Sequence, residues 1–257
     1  MTALAGRHAL VTGGAGSLGR ALAAVLLERG MTVTLADLDE ERLAEADTHL
    51  GSPAALSRVV FDVAEPEAWT RALDETETAH GPVWLLCNNA GIPAQRAPLL
   101  SLAPDQWTRM MAVNLSSVYL GAWAAAPRMI AAGGGHILNT ASIGGLLAQP
   151  GRGEYCAAKA GVISLSETLR AELEPHGVGV SVFCPGAIGH AVGYRWRPGD
   201  PPAATGRLDP RAGAETAIGA MLAGEFYLFT HRSDRDAVNR RCARLLAAFD
   251  RLADAPS

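Results

Sequence analysis

The run His8-Ala-Leu-Val-Thr12 is short and apolar, and it is followed at once by Gly13-Gly-Ala-Gly16-Ser17-Leu18-Gly19 and the helix-forming stretch Arg20 to Glu28. Strand, tight glycine turn and helix in direct succession limit what the chain can become. A strand that exits into a helix is rejoined from the same direction, so the next strand lies parallel to it. The pattern then repeats: strands are expected at Met31 to Ala36, Ala55 to Phe61, Val83 to Asn88, Gly135 to Ser142 and Val178 to Cys184. Helices are expected between them, near Glu40 to Leu50, Glu65 to His80, Pro104 to about Ala132 and Glu154 to His176. Such alternation predicts an α/β fold of three layers, with helices on both faces of a doubly wound parallel sheet joined by right-handed crossovers.

The 257 residues suffice for one domain of this kind, and an apolar fraction of 49% supplies a sizeable core. No internal repeat or interdomain linker interrupts residues 1–257. A net charge of -4 gives no general reason to bind nucleic acid or an anionic membrane. No apolar stretch is long enough to span a bilayer, and Met1 to Arg7 lacks the shape of a signal peptide. Cys87, Cys156, Cys184 and Cys242 are scattered without metal spacing, so no metal site is expected. They read as reduced thiols of a cytoplasmic protein.

In an open parallel sheet, ligands bind beyond the carboxyl ends of the strands. Polar or glycine clusters terminate six expected strands: Gly13 to Gly19, Asp37, Asp62-Val63, Asn88-Asn89-Ala90-Gly91, Ser142 and Pro185-Gly186. The glycine loop suits a dinucleotide, because missing β-carbons let a pyrophosphate approach the backbone and the helix start favours its charge. Asp37 lies at the spacing where a carboxylate accepts the adenosine ribose hydroxyls and repels the extra phosphate of NADP, which favours NAD. Capping of the helix near Glu40 is the competing reading of Asp37. Asp62 fits either an adenine contact or a strand-end turn. Asn88 to Gly91 fit a cofactor wall that braces the sheet or an ordinary turn, and Pro185-Gly186 fit a floor beneath the nicotinamide or a plain turn.

Together, Thr12-Gly-Gly-Ala-Gly-Ser-Leu-Gly19, Asn88-Asn-Ala-Gly91, Asn114, Ser142, Tyr155-Cys-Ala-Ala-Lys159 and Pro185-Gly186 closely resemble the short-chain dehydrogenase/reductase family over about residues 5–187. The resemblance implies a Rossmann-type sheet, a nicotinamide cofactor held also by Ser17, Leu18, Val63 and Ile188, and an alcohol or ketone substrate. It implies a catalytic tetrad of Asn114, Ser142, Tyr155 and Lys159, and a homo-oligomer, dimer or tetramer, built on the long helices. Side-chain chemistry agrees. Tyr155 and Lys159 are one helical turn apart, so the ammonium, helped by oxidised nicotinamide, is expected to draw the phenol toward neutral pH for work as a general base. Ser142 is expected to hydrogen-bond the substrate oxygen. The resemblance further implies that Lys159 bonds the nicotinamide ribose and that Asn114 supports a water leading to solvent. Blander roles also fit: a backbone-bonded helix residue for Asn114, a strand-end cap for Ser142 and a solvated pair for Tyr155 and Lys159.

Three features depart from the compact branch of that family. Ser17 replaces the usual second glycine, leaving the Gly13, Gly16, Gly19 spacing of nucleotide-sugar epimerases, although too little chain follows Pro185 for their substrate domain. His190 stands where relatives commonly carry threonine; it either replaces that contact or moves aside on a lid. In place of the usual ending, Glu225 to Thr230 reads as a last strand and Asp234 to Leu252 as a basic helix, within a terminal segment at about 225–252. That ending loosely resembles the subset acting on bulky, often aromatic, secondary alcohols. The irregular stretch at about 189–213 reads as a substrate lid, with Tyr194 and Trp196 for stacking and Arg195 or Arg197 for an anion, or as a solvated loop. A non-catalytic dinucleotide sensor is the rival from another class.

Overall fold

The computed structural model describes residues 4–189 and 206–252. Its core is one parallel sheet of seven strands: β1 (His8–Thr12), β2 (Thr32–Asp37), β3 (Leu56–Val60), β4 (Val83–Asn88), β5 (Gly135–Thr140), β6 (Val178–Cys184) and β7 (Tyr227–Phe229). Their spatial order is β3-β2-β1-β4-β5-β6-β7. The chain therefore winds outward from β1 and then returns to lay β4 on its other side, which opens a crevice at the carboxyl ends of β1 and β4.

The sheet is covered on both faces, and adjacent residues of its strands face opposite cores. Ala9 and Val11 of β1, Phe183 of β6 and Leu138 of β5 meet helices α1 (Ser17–Glu28), α2 (Glu40–His49) and α7 (Pro210–Leu222). Leu10, Ile137 and Val182 meet helices α3 (Pro66–His80), α5 (Ser117–Ala131) and α6 (Gly153–Leu173). Buried polar pairs tie the strands together: Asn88 Nδ2 donates to Asn139 Oδ1 at 2.9 Å, and Asn139 Nδ2 donates to Ser166 Oγ at 3.0 Å. Asn88 thus braces the sheet.

Two helices differ from expectation. The helix over Pro104 to Ala132 is split: α4 (Pro104–Met111) and α5 are joined by a π turn, Ala112–Ser116, that contains Asn114. An extra residue within a helix re-aims the side chains around it, and such turns recur at functional sites. Helix α7 went unrecognised, so the stretch at about 189–213 is shortened at its end: Asp209 caps α7 by accepting from the amides of Arg211 and Ala212. Its buried face is Gly213, Ala214, Ala217, Ile218 and Met221, so small residues supply most of it and the apolar pattern from sequence alone is weak. His190, Tyr194, Arg195, Trp196 and Arg197 lie outside the described residues.

At the terminal edge, α8 (Arg235–Asp250) follows β7 with none of its residues buried, and Leu246, Phe249 and Leu252 are exposed. No helix among the described residues is long and apolar enough to cross a membrane.

One half-buried histidine makes the fold acid-sensitive. Ser181 donates its hydroxyl proton to Glu225 O at 2.8 Å, so the 3.0 Å contact with His136 Nε2 requires the ring nitrogen to donate. Burial pushes the His136 imidazole down to about 4. The unfolded chain takes up a proton below its ordinary value while the fold refuses it, so stability is unaffected above that value and falls between it and the folded pKa. The loss should reach about 3 kcal/mol. Urea unfolding across pH 7 to 4 checks this, and His136→Gln, which keeps a donor for Ser181, should flatten the slope.

Candidate active site

The crevice is built around Gly13. Its φ of +63° is a left-handed conformation that favours glycine, and a β-carbon there would lie 2.8 Å from Ala90 Cα. Gly19 is equally constrained, since its β-carbon would fall 2.2 Å from the Gly13 carbonyl oxygen. Thr12 Oγ1 accepts from the amides of Asn89 and Ala90, at 3.0 and 3.1 Å, and Asn89 Nδ2 donates to Thr12 O at 3.0 Å. The end of β4 is thereby locked to the start of the glycine loop. Helix α1 begins after Gly16 with no side-chain cap and no acidic residue in its first turn, so its leading amides remain suited to an anion.

Asp37 stands beside that loop. Its carboxylate accepts from Ala15 N at 3.2 Å and Leu38 N at 2.9 Å. Capping of α2 belongs instead to Asp39, which accepts from Arg42 N, so the helix-cap reading of Asp37 is corrected. Asp62 forms a turn, accepting from Ala64 N at 2.9 Å, while Val63 is buried and its carbonyl accepts from Trp69 Nε1. Leu18 packs at the rim of the α1 core.

On the other side of the crevice, Pro185 O accepts from Ile143 N at 2.9 Å, and Gly186 N donates to Thr230 Oγ1 at 3.1 Å. A β-carbon at Gly186 would lie 2.5 Å from His231 Nδ1, so the end of β7 presses directly on this turn. Sequence reasoning missed Thr230 and His231; their only signal was a polar pair closing the last strand. Ile188 packs near α7, and Gly189 comes close enough to Ser17 that its β-carbon would lie 3.1 Å from Ser17 Oγ.

Asn114, Ser142, Tyr155 and Lys159 converge between these two halves. Asn114 is fully buried and clamps the backbone of Ile92, accepting from its amide at 2.7 Å and donating to its carbonyl at 2.9 Å. The backbone-bonded reading of Asn114 thus holds, and it also fixes the neighbouring Gly91. A β-carbon at Gly91 would lie 3.2 Å from Asn114 Oδ1 and 3.9 Å from Lys159 Nζ. Lys159 Nζ donates to Thr140 O at 2.7 Å, and burial pushes its pKa down to about 8. Ser142 caps a short turn by accepting from Gly144 N at 3.1 Å, and a β-carbon at Gly144 would lie 3.4 Å from Ser142 Oγ and 3.6 Å from Tyr155 Cε1, so the two side chains stand together.

The phenol of Tyr155 is buried beside several polar groups. Burial pushes the phenol above its ordinary value, and the opposing pull comes from Ser142 and the Arg152 cation. Arg152 Cζ lies 4.8 Å from the centre of the Tyr155 ring. Lys159 is engaged by Thr140 and is no solvated partner of the phenol.

Residues 7–199 match the family model described as short chain dehydrogenase. This chain belongs to the short chain dehydrogenase family. Its relatives include 2,5-dichloro-2,5-cyclohexadiene-1,4-diol dehydrogenase LinX of Sphingobium indicum, 34% identical over 72% of this chain and 74% of the relative. Trans-4-hydroxycyclohexanecarboxylate dehydrogenase of Sinomonas cyclohexanicum is 37% identical over 72% of this chain and 73% of the relative. Among solved structures, the apo form of LigO from Sphingobium sp. strain SYK-6 has a TM-score of 0.87 at 31% identity, over 100% of this chain and 93% of that one. A family member from Burkholderia phymatum in complex with NAD has a TM-score of 0.85 at 30% identity, over 100% and 98% of the two chains. A metagenomic member in complex with NADP has 0.74 at 28%, over 89% and 98%. This dehydrogenase is accordingly an oxidoreductase acting on CH–OH donors, with a Rossmann-type fold and a nicotinamide dinucleotide as its cofactor. The sensor and epimerase readings fall away.

Proposed function

We propose that this dehydrogenase interconverts a secondary alcohol and a ketone with NAD, using Tyr155 as general acid and base. The observation that carries the reading is that Ser142 Oγ and the Tyr155 ring both lie against Gly144, beside a glycine cradle that added β-carbons would obstruct. Gly13, Gly16, Ser17, Leu18 and Gly19 would hold the pyrophosphate, Asp37 the adenosine ribose, Asp62 and Val63 the adenine. Asn89, Ala90, Gly91, Pro185, Gly186 and Ile188 would line the nicotinamide half, with Lys159 on its ribose. Bound there, the oxidised ring accepts a hydride and adds positive charge near the phenol.

In alcohol oxidation Ser142 positions the hydroxyl, and Tyr155 takes its proton as the C–H bond breaks. Burial alone holds that phenol too high to act as a base at neutral pH, so Ser142, Arg152 and the charge of the cofactor must act together. The proton then has an exit: Lys159 lies near Gly91 and Asn114, the side proposed to hold a water leading to solvent. NADH formation followed by absorbance, with a panel of secondary alcohols and NADP in parallel, tests the reading. Silence across the panel despite tight NADH binding would refute it.

Asp37 supports the choice of NAD, because its carboxylate is aimed at the glycine loop where a ribose phosphate would be repelled. Asp37→Ala should raise the NADP-to-NAD ratio of kcat/KM at least about tenfold. An unchanged ratio would remove Asp37 from the ribose site. A bulky, ring-bearing substrate is supported by the C-terminal strand and helix and by the cyclic alcohols in the names of both relatives.

We propose further that the 257 residues work as one cytoplasmic domain, assembled as a homo-oligomer through the faces of α4, α5 and α6. Trp107, Tyr119 and Trp123 stand exposed there, a larger aromatic patch than a lone monomer needs. Light scattering should return a multiple of the 26.8 kDa chain mass, and Trp123→Asp should lower it.

A further inference from the structure

We infer that Arg152 forms a subsite for an anionic substituent, a carboxylate or its isostere, on the secondary alcohol that this dehydrogenase oxidises. The inference rests on the reading of Tyr155 and Ser142 as the place where the carbinol binds, and it adds the substrate class. Arg152 sits at the start of α6, three residues before Tyr155, in the loop that connects Ser142 to that helix. Its guanidinium lies 4.8 Å from the Tyr155 ring centre, on the group whose oxygen would meet the substrate. Any molecule held by Ser142 and Tyr155 comes within a few bonds of this charge.

Among the described residues the charge has no counterion. Arg152 Nη1 donates to Gln149 Oε1 at 2.7 Å, a neutral acceptor. Nε is buried and has no hydrogen-bond partner, and no carboxylate among the described residues forms an ion pair with the group. The adjacent Glu154 is fully buried and turned to another task, accepting from Gln95 N at 2.8 Å, with its second oxygen unpartnered. A buried donor left unsatisfied is costly, and the Nε side of a guanidinium is a fork that matches a carboxylate in two parallel hydrogen bonds. Gln149 holds the fork without neutralising it.

The surroundings fit a substrate rather than bulk anions. Ile92 and Ala94 pack against the cluster of Tyr155, Met110 and Ala158 and supply apolar surface near the ring. The arrangement is a reacting phenol, an apolar flank and an uncompensated cation: it calls for a carbinol, a hydrocarbon or aryl spacer, and an anion. During turnover the alcohol loses a hydride to NAD and its hydroxyl proton to Tyr155, and the anionic group is unchanged. Its role is to fix the distance and the hand of the carbinol.

The test compares acids with their methyl esters as substrates for NAD reduction by the full chain. The set is straight-chain hydroxy acids with the carbinol two, three or four carbons from the carboxylate, together with para-(1-hydroxyethyl)benzoate. At the best-fitting length the acid should exceed its ester about 10- to 100-fold in kcat/KM, chiefly through KM. Arg152→Gln should erase that ratio and Arg152→Lys should restore part of it, with NADH binding and melting temperature reported for each variant. Arg152 also touches Tyr155, so any loss common to acid and ester reports tuning of the phenol; the ratio alone reports the subsite. Equal use of acid and ester by the wild type at every spacing, or a preference that survives Arg152→Gln, overturns the inference while leaving the dehydrogenase reading intact. Absence of turnover with acids, esters and neutral secondary alcohols alike overturns the dehydrogenase reading, and the subsite with it.

Discussion

Tyr155→Phe is expected to lower kcat/KM about a thousandfold while NADH affinity changes little. The ring is held by packing: Tyr155 is only 7% exposed and lies in a cluster with Met110 and Ala158. Phenylalanine fills the same space and preserves the face that Arg152 covers, so the variant removes the hydroxyl and little else. What disappears is the hydroxyl proposed to take the proton. Steady-state rates and a fluorescence titration with NADH separate the two effects. Retention of most turnover would take the proton-transfer role away from Tyr155 and leave Ser142 or a bound water to carry it.

Gly19→Ala should be the most damaging single-methyl change in the cofactor half. Its β-carbon would fall 2.2 Å from Gly13 O and 2.9 Å from both Gly13 C and Gly14 Cα, all of them backbone atoms with no rotamer to change. The loop cannot yield cheaply, because Gly14 N donates to Ala36 O at 2.9 Å and Gly16 N to Gly13 O at 3.0 Å. Overpacking of this kind costs about 1–3 kcal/mol, roughly 2–12 °C of melting temperature in a chain this long. Opening of the cradle should also weaken NADH binding by about a hundredfold, since the amides no longer converge. Gly16→Ala is the internal control. Its β-carbon meets only Gly13 O, at 3.2 Å, and the effect should be several times smaller. Equal damage at the two positions would mean that loop flexibility matters more than the close approach.

Much of the fold was legible because its signals are local. Apolar runs of strand length, helices between them and glycine at a turn are written in neighbouring residues, and β1 to β6 appear where those patterns lie. Helix α7 escaped because three of the five buried residues on its packing face are glycine and alanine, whose burial leaves little periodic signal. The π turn at Asn114 escaped for a different reason. One extra residue in a helical turn shifts hydrogen bonds without changing composition, and the register is chosen by the clamp between Asn114 and Ile92, 22 positions apart.

The candidate site divides in the same way. Residue types and spacing along the chain determined the parallel sheet, the glycine loop and the four residues proposed as a tetrad, because each is a short motif with its own local chemistry. Tertiary structure alone decided that Asp39 caps α2 and leaves Asp37 to the loop, that Lys159 bonds Thr140, and that Arg152 supplies the protein cation over Tyr155. Charge interactions and desolvation depend on distance and burial in three dimensions, and neither can be read from separation along a chain.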